Sequence, residues 1–256
     1  VVACAVSAAL GFGAAVLSRP WSAGAAASDG KPDQSTIVDV RTTRRLVALT
    51  FDDGPDPRWT PQVLELLHRH GATATFFDTG LNAMARPDLV AAEIGAGNGV
   101  GDHTWSHPHL THLGASAIDA EIVRGAQAIQ RAGAPEPRLF RPPFGASNET
   151  VAVVADAEGY RTVLWSVALE HFLSRTSDTN AAVAAVLDRV QPGSIILAHD
   201  GGVPDRTRTL QALPMLLEGL ETRGYRVVDV EALLAAARYP PPHGPRRSGS
   251  PDTLRG

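Results

Sequence analysis

The sequence predicts an α/β fold in which parallel strands, wrapped by helices, close fully or partly into a (β/α) barrel. Three observations carry this. Short apolar runs of strand length alternate with longer runs of helical periodicity, the order expected of repeated β-α units. The chain of 256 residues is long enough for one α/β domain with a sizeable core. The polar clusters fall at the C-terminal ends of the predicted strands, which share one face in a parallel barrel.

The first strand is RLVALTF, from Arg45 to Phe51. A helix follows in TPQVLELLHRHG, where Pro61 suits the first turn and Gly71 the stop. ATATFF is a second strand, PDLVAAEIGAG a helix and GVGDHT a short third strand. The helix in SAIDAEIVRGAQAIQRAG is amphipathic, with Ile118, Ile122, Ala126 and Ile129 on one stripe. RLFRPPFG, RTVLWSV, SIILAHD and GYRVVDV supply the later strands, separated by helices in ETVAVVADAEG, NAAVAAVLDRV and TLQALPMLLEGLETRG.

The flanks differ in composition. Val1 to Ser18 is uncharged and is followed by Arg19 and Pro20, which suits a signal peptide or short membrane anchor over residues 1–20. Small residues near Ala25 to Ala27 offer a cleavage site, whereas a lipoprotein reading of VVAC suffers because the apolar run follows Cys4. Residues 21–43 read as a flexible linker and residues 238–256, rich in Pro, Gly, Ser and Arg, as a disordered tail. The folded part is expected over residues 44–237. Export is expected, either as a secreted protein or on the outer face of the cytoplasmic membrane, with membrane contact confined to the N-terminal segment. The net charge of -4 supplies no basic field for nucleic acid. The single cysteine excludes an internal disulfide and leaves His and carboxylates as ligands for any metal. A monomer is expected.

TFDDGP ends the first strand with adjacent acids, Asp52 and Asp53. Neighbouring strand side chains point to opposite faces, so one structural purpose rarely needs both. HTWSH sets His103 and His107 four residues apart, which on one helical turn would face both imidazoles the same way. Two histidines and one of the paired carboxylates, with a position left open for water, make a common catalytic zinc pattern. A solvent-facing histidine pair is the plainer alternative. RPPFG and AHDGG bring Arg141 and His199 to the same strand ends.

TFDDGP, HTWSHP, RPPFG and ILAHD, in that order and spacing, resemble the successive motifs of the polysaccharide deacetylase family (NodB-homology domain, a carbohydrate esterase type), over roughly Leu46 to Leu234. The resemblance implies a distorted (β/α) barrel. It also implies one divalent ion on Asp53, His103 and His107, Zn2+ first, with Co2+ or Mn2+ able to take the same ligands. Asp52 would be the general base, oriented by Arg141 through a charge-assisted hydrogen bond. His199 would be the general acid, Phe144 would give its backbone N–H to the oxyanion, and Leu197 would line the acetyl pocket. Family members usually carry Tyr at the Phe144 position, and Phe keeps the N–H.

One motif departs. Where the family commonly has Asp-x-x-Asp-Trp, this chain reads SVALEHF, with Ala168, His171 and Phe172 in place of the acids and the tryptophan. The acid that would hold the catalytic histidine is missing; Glu170 and Asp200 are the nearby carboxylates. Trp105, between the two metal histidines, is expected to pack the metal loop. The expected activity is metal-dependent hydrolysis of N-acetyl groups on N-acetylglucosamine of a cell-wall or related glycan, peptidoglycan ahead of chitin oligomers. The alternatives are an acetyl-xylan esterase, a weakly catalytic glycan-binding protein that keeps the metal, and a membrane-tethered scaffold.

Overall fold

The computed structural model describes residues 36–202 and 205–238. The leader expected over residues 1–20 and the tail beyond Arg238 lie outside the described residues. Strand β1 (Leu46–Asp52) leads through helix α1 (Thr60–Arg69) to β2 (Thr75–Asp78), and α2 (Gly80–Ala85) and α3 (Pro87–Gly95) return to β3 (Gly99–Asp102). Helix α4 (Ala115–Arg131) precedes β4 (Leu139–Phe140), and α5 (Glu149–Ala157) precedes β5 (Arg161–Thr162). Strand β6 (Val167–Ala168) runs straight into α6 (Leu169–Leu173), followed by α7 (Thr179–Leu187), β7 (Ile195–His199), α8 (Thr207–Thr222), β8 (Arg226–Val228) and α9 (Val230–Arg238).

All strand pairings in this sheet are parallel, in the order β5-β4-β3-β2-β1-β7-β6, with β8 also laid against β1. The sheet curls into a half-barrel wrapped by helices, as the alternation of elements predicts. The helices form where an apolar stripe meets the sheet: α1 buries Thr60, Val63, Leu66 and Leu67, one face of a 3.6-residue period. Strand β1 is central and buried along its whole length. Its odd residues Val47, Leu49 and Phe51 pack outward with Val63, Leu67 and Leu216. Its even residues turn inward, where Leu46 and Ala48 join Phe77, Leu139 and Val228. The period of two therefore carries Thr50 and Asp52 onto the inner face at the strand's C-terminal end.

Three stretches differ from the sequence expectation. RTVLWSV splits into β5 and β6, because the carbonyls of Val163 and Leu164 accept from the Arg141 guanidinium, both at 3.0 Å. RLFRPPFG keeps only Leu139–Phe140 as strand, since Pro142 and Pro143 have no N–H for a ladder. The expected linker is packed from Ile37: Ile37 bridges to Val163, Asp39 bridges to Ser194, and Val40 is 7% exposed. Its apolar residues Ile37 and Val40 supply the reason. Helices α2 and α6 are too short to declare a period.

Beneath the strand ends, Asp78 of β2 and Glu93 of α3 are both fully buried, and among the described residues no third group donates to their carboxylate oxygens, which have only each other. Burial pushes the Asp78 carboxyl up from 3.8 to about 7, against the opposing hydrogen bond from Glu93. Burial, with the charges of Asp78 and Asp200, raises Glu93 well above its usual value. The pair therefore keeps a proton near neutrality. Such groups bind more protons folded than unfolded, so their effect is to lower stability as pH climbs from about 4 to about 7. The melting temperature should fall by roughly 4–8 °C between pH 5 and pH 8, and by less than half of that in Glu93→Gln. Equal slopes in the two proteins, by calorimetry across that range, would remove the pair as the cause.

Candidate active site

Arg141 follows β4 into the barrel interior and is fully buried. Its Nη1 donates to Thr50 Oγ1 at 2.8 Å and to Asp52 Oδ1 at 2.6 Å, and its guanidinium carbon sits 4.1 Å from the Phe77 ring centroid. Thr50 and Asp52 share one face of β1, so a single guanidinium reaches both. Burial alone would raise the Asp52 carboxyl; the charges of Arg141, His103 and His199 outweigh it and hold the group below its usual range. Asp52 is thus ionised, and its Oδ2 lies 3.8 Å from His103 Nε2.

Asp53 follows with φ 72°, a left-handed conformation that turns its side chain back toward the same cleft as Asp52. This local reversal is how adjacent acids come to serve one site. Arg206 Nη2 sits 3.2 Å from Asp53 Oδ2, leaving Oδ1 3.6 Å from His103 Nε2 and 3.2 Å from His107 Nε2. Gly201 and Gly202 let their loop close over Asp53: a Cβ at Gly202, itself at φ 68°, would stand 2.6 Å from Asp53 Oδ2. Asn82 Nδ2 donates to the Asp53 carbonyl at 2.9 Å.

The two histidines do converge, but on an irregular loop instead of a helical turn. Thr104 and His107 have φ values of 70° and 60°, and the segment is tied to neighbouring elements. Thr104 N donates to Asp102 Oδ1 at 2.9 Å, while Trp105 N donates to the Glu121 carbonyl and Ser106 N to Glu121 Oε2, both at 2.8 Å. The Trp105 ring packs against Gly80 and lies under Arg124, the packing role expected of it. His103 Nδ1 is 2.7 Å from the Arg141 carbonyl, so Nδ1 donates there and Nε2 is the free nitrogen. Burial, reinforced by the nearby His107, lowers the His103 imidazole despite Asp52 and Asp53, which favours its neutral form.

The Pro143–Gly145 turn holds Phe144 at φ 62°. Gly145 and Ala146 donate to Pro142 and Pro143, and among the described residues no carbonyl takes the Phe144 N–H. Phe144 is 56% exposed, and its ring stacks on His109 at 3.9 Å and meets His107 edge-on at 4.6 Å. His199 closes β7 with its side chain 22% exposed. Burial would lower its imidazole, but Glu170, Asp52 and Asp53 together raise it above its usual value. Asp200 does not face His199: it turns under the loop and accepts from Thr60 Oγ1 at 2.5 Å.

These groups line one cleft of about 600 Å³, joined by Leu81, Trp165 and the side chain of Leu197. It can present an ionised base, a free N–H donor and a proton-bearing imidazole around a three-ligand cation pocket. The family model for polysaccharide deacetylase matches residues 39–163. A peptidoglycan-N-acetylglucosamine deacetylase of Bacillus cereus is 38% identical over 204 residues, covering 80% of this chain and 95% of that protein. The chain belongs to the polysaccharide deacetylase family.

Another relative is a chitooligosaccharide deacetylase of Sinorhizobium fredii, 38% identical over 201 residues, covering 74% of this chain and 92% of that one. Among solved structures, a family 4 carbohydrate esterase from Streptomyces lividans in complex with acetate matches with a TM-score of 0.65 and 38% identity, covering 71% and 91% of the two chains. Against the family pattern, SVALEHF is the exception. Ala168 pairs with Leu197, His171 is exposed beside Arg175, and Phe172 lies in the helical layer under Arg189. Neither aromatic residue lines the cleft.

Sequence reasoning missed Thr50, Trp165 and Arg206. The alternation along β1 could have found Thr50, which shares the face of Asp52. Nothing distinguishes Arg206 from Arg208 in the string DRTRT. Removing Arg141 leaves Asp52 buried without its countercharge, so Arg141→Ala should cost about 3–5 kcal/mol in urea denaturation. A loss below about 1 kcal/mol would show that the pair does not hold this end of the barrel together.

Proposed function

We propose that the protein is a metal-dependent hydrolase that removes N-acetyl groups from N-acetylglucosamine residues of an extracytoplasmic glycan, peptidoglycan before chitin oligomers. One observation carries the reading. The ionised Asp52, anchored by Arg141, faces the Asp53–His103–His107 pocket from within the same cleft. The names of two relatives, a peptidoglycan and a chitooligosaccharide deacetylase, support the substrate class.

The three residues suit a divalent cation. Their ligand atoms lie within 4.8 Å of one another, and the two nitrogens and one oxygen are the donor set of many catalytic zinc sites. A Zn2+ ion bound there would polarise the acetyl carbonyl and acidify the attacking water. Asp52 takes a proton from that water as its oxygen bonds to the acetyl carbon. The Phe144 N–H donates to the oxyanion that forms. His199 gives its proton to the sugar nitrogen as the C–N bond breaks, releasing acetate and a free amine. Leu197 and Trp165 supply an apolar wall for the methyl group. Export, through the segment at residues 1–20, would bring the protein to its polymer, and it would act there as a monomer.

Metal-stripped protein should bind one Zn2+ by calorimetry, with the affinity lowered at least about 10²-fold in His107→Ala. Acetate release from peptidoglycan should return with the metal and fall about 10²–10⁴-fold in Asp52→Asn, which leaves the three ligands untouched. His199 must be protonated to act, and its raised value keeps it so above the usual imidazole range. The rate should therefore decline as pH rises through that value, on the alkaline side of an ordinary imidazole. Tight zinc binding without acetate release from peptidoglycan, chitin oligomers or acetylated xylan would leave the binding-protein reading in its place.

A further inference from the structure

The chain carries His171 where the resemblance places the carboxylate that holds the catalytic histidine, yet His199 is not left alone. Strand β6 pairs with β7 in the register Val167–Ile196 and Ala168–Leu197, and α6 begins at once. Glu170, the second residue of α6, is thereby brought alongside the end of β7. Its Oε1 accepts from the His199 backbone N–H and from Thr209 Oγ1 of α8, both at 3.0 Å. Two donors from two elements thus fix the carboxylate. Its other oxygen, Oε2, stands 3.3 Å from His199 Nδ1, at ion-pair distance, and among the described residues neither of these two buried atoms has any other hydrogen-bonding group to meet.

Building on the deacetylase reading, we propose that Glu170 is the positioning residue of His199, supplying from α6 the carboxylate that position 171 lacks. A carboxylate at Nδ1 selects the tautomer with its proton on that nitrogen and steadies the doubly protonated ring. Nε2 is then the nitrogen presented to the cleft as proton donor. The charged groups facing His199 are Glu170 from α6 and Asp52 and Asp53 from the end of β1. Helix α8 contributes the uncharged Thr209, and Asp200 turns away to Thr60. Glu170 is the only one of these tied to the His199 backbone.

The test reads the imidazole directly. In metal-free protein, NMR of the histidine side chains should show the His199 titration midpoint falling by about one unit in Glu170→Gln, with Glu170→Asp in between. Zinc affinity should stay within about twofold, since Glu170 touches no ligand. With zinc restored, kcat for acetate release should fall about 10–100-fold with KM little changed, and the alkaline limb should move down with the midpoint. Thr209→Val, which removes one anchor and keeps the shape, should show the same shifts at smaller size, and covers the case in which Glu170→Gln folds poorly.

An unchanged midpoint and unchanged kcat in Glu170→Gln would overturn the proposal, as would a loss of melting temperature with neither moved. A shifted midpoint in a protein that releases no acetate would keep Glu170 in place and defeat the deacetylase reading. Normal acetate release that ignores Glu170→Gln would do the reverse.

Discussion

The contact on which the site depends is the buried pair of Arg141 and Asp52, 2.6 Å apart at the C-terminal end of the half-barrel's strands. Neither charge could sit there alone, because an unpaired ion in a dry interior costs several kcal/mol. Their pairing has consequences along the chain. It claims Thr50 on the same face of β1 and draws two carbonyls out of the strand that would otherwise join β5 to β6. The Arg141 carbonyl also orients His103 at 2.7 Å. One residue after β4 therefore links the base, one candidate metal ligand and the gap in the sheet.

Around that pair, the loops divide the two oxygens of Asp53 between different neighbours. Arg206 takes one side, and the two histidines approach the other. The glycines of AHDGG matter for the same reason, since their missing side chains let the α8 approach loop lie against Asp53. The buried carboxyls on the outer face, Asp78, Glu93 and Asp200, have no such cation. Burial holds all three carboxyls above their usual range, so they form a second, partly protonated acidic layer under the charged one.

The strand-and-helix order was legible because apolar period changes cleanly between β1, α1, β2 and their successors. The convergence of TFDDGP, HTWSH, RPPFG and AHDGG was legible because parallel strands put all their C-terminal ends together. What stayed hidden was local. That His103 and His107 meet through left-handed turns at Thr104 and His107 is invisible in their spacing, which mimics a helical one. Glu170 could be named only as a nearby acid, because its reach depends on how soon α6 starts after β6. Arg206 required the fold itself, since its partner lies 153 residues away.

Asp53, Thr104, His107 and Phe144 all carry φ values between 60° and 72°; three of them line the cleft, and Thr104 sits buried in the loop between its two histidines. Side chains other than glycine resist that conformation, so the fold alone would favour relaxing each of them. On the proposed function, selection for catalysis and selection for a comfortable backbone oppose one another at these positions. A descendant freed from the reaction would drift toward glycine or an altered turn here first, while its core and sheet order persisted. At Asp53 and His107 that drift would remove a proposed ligand in the same step, so relaxation at Thr104 and Phe144 would be the earliest sign of an enzyme decaying into a scaffold.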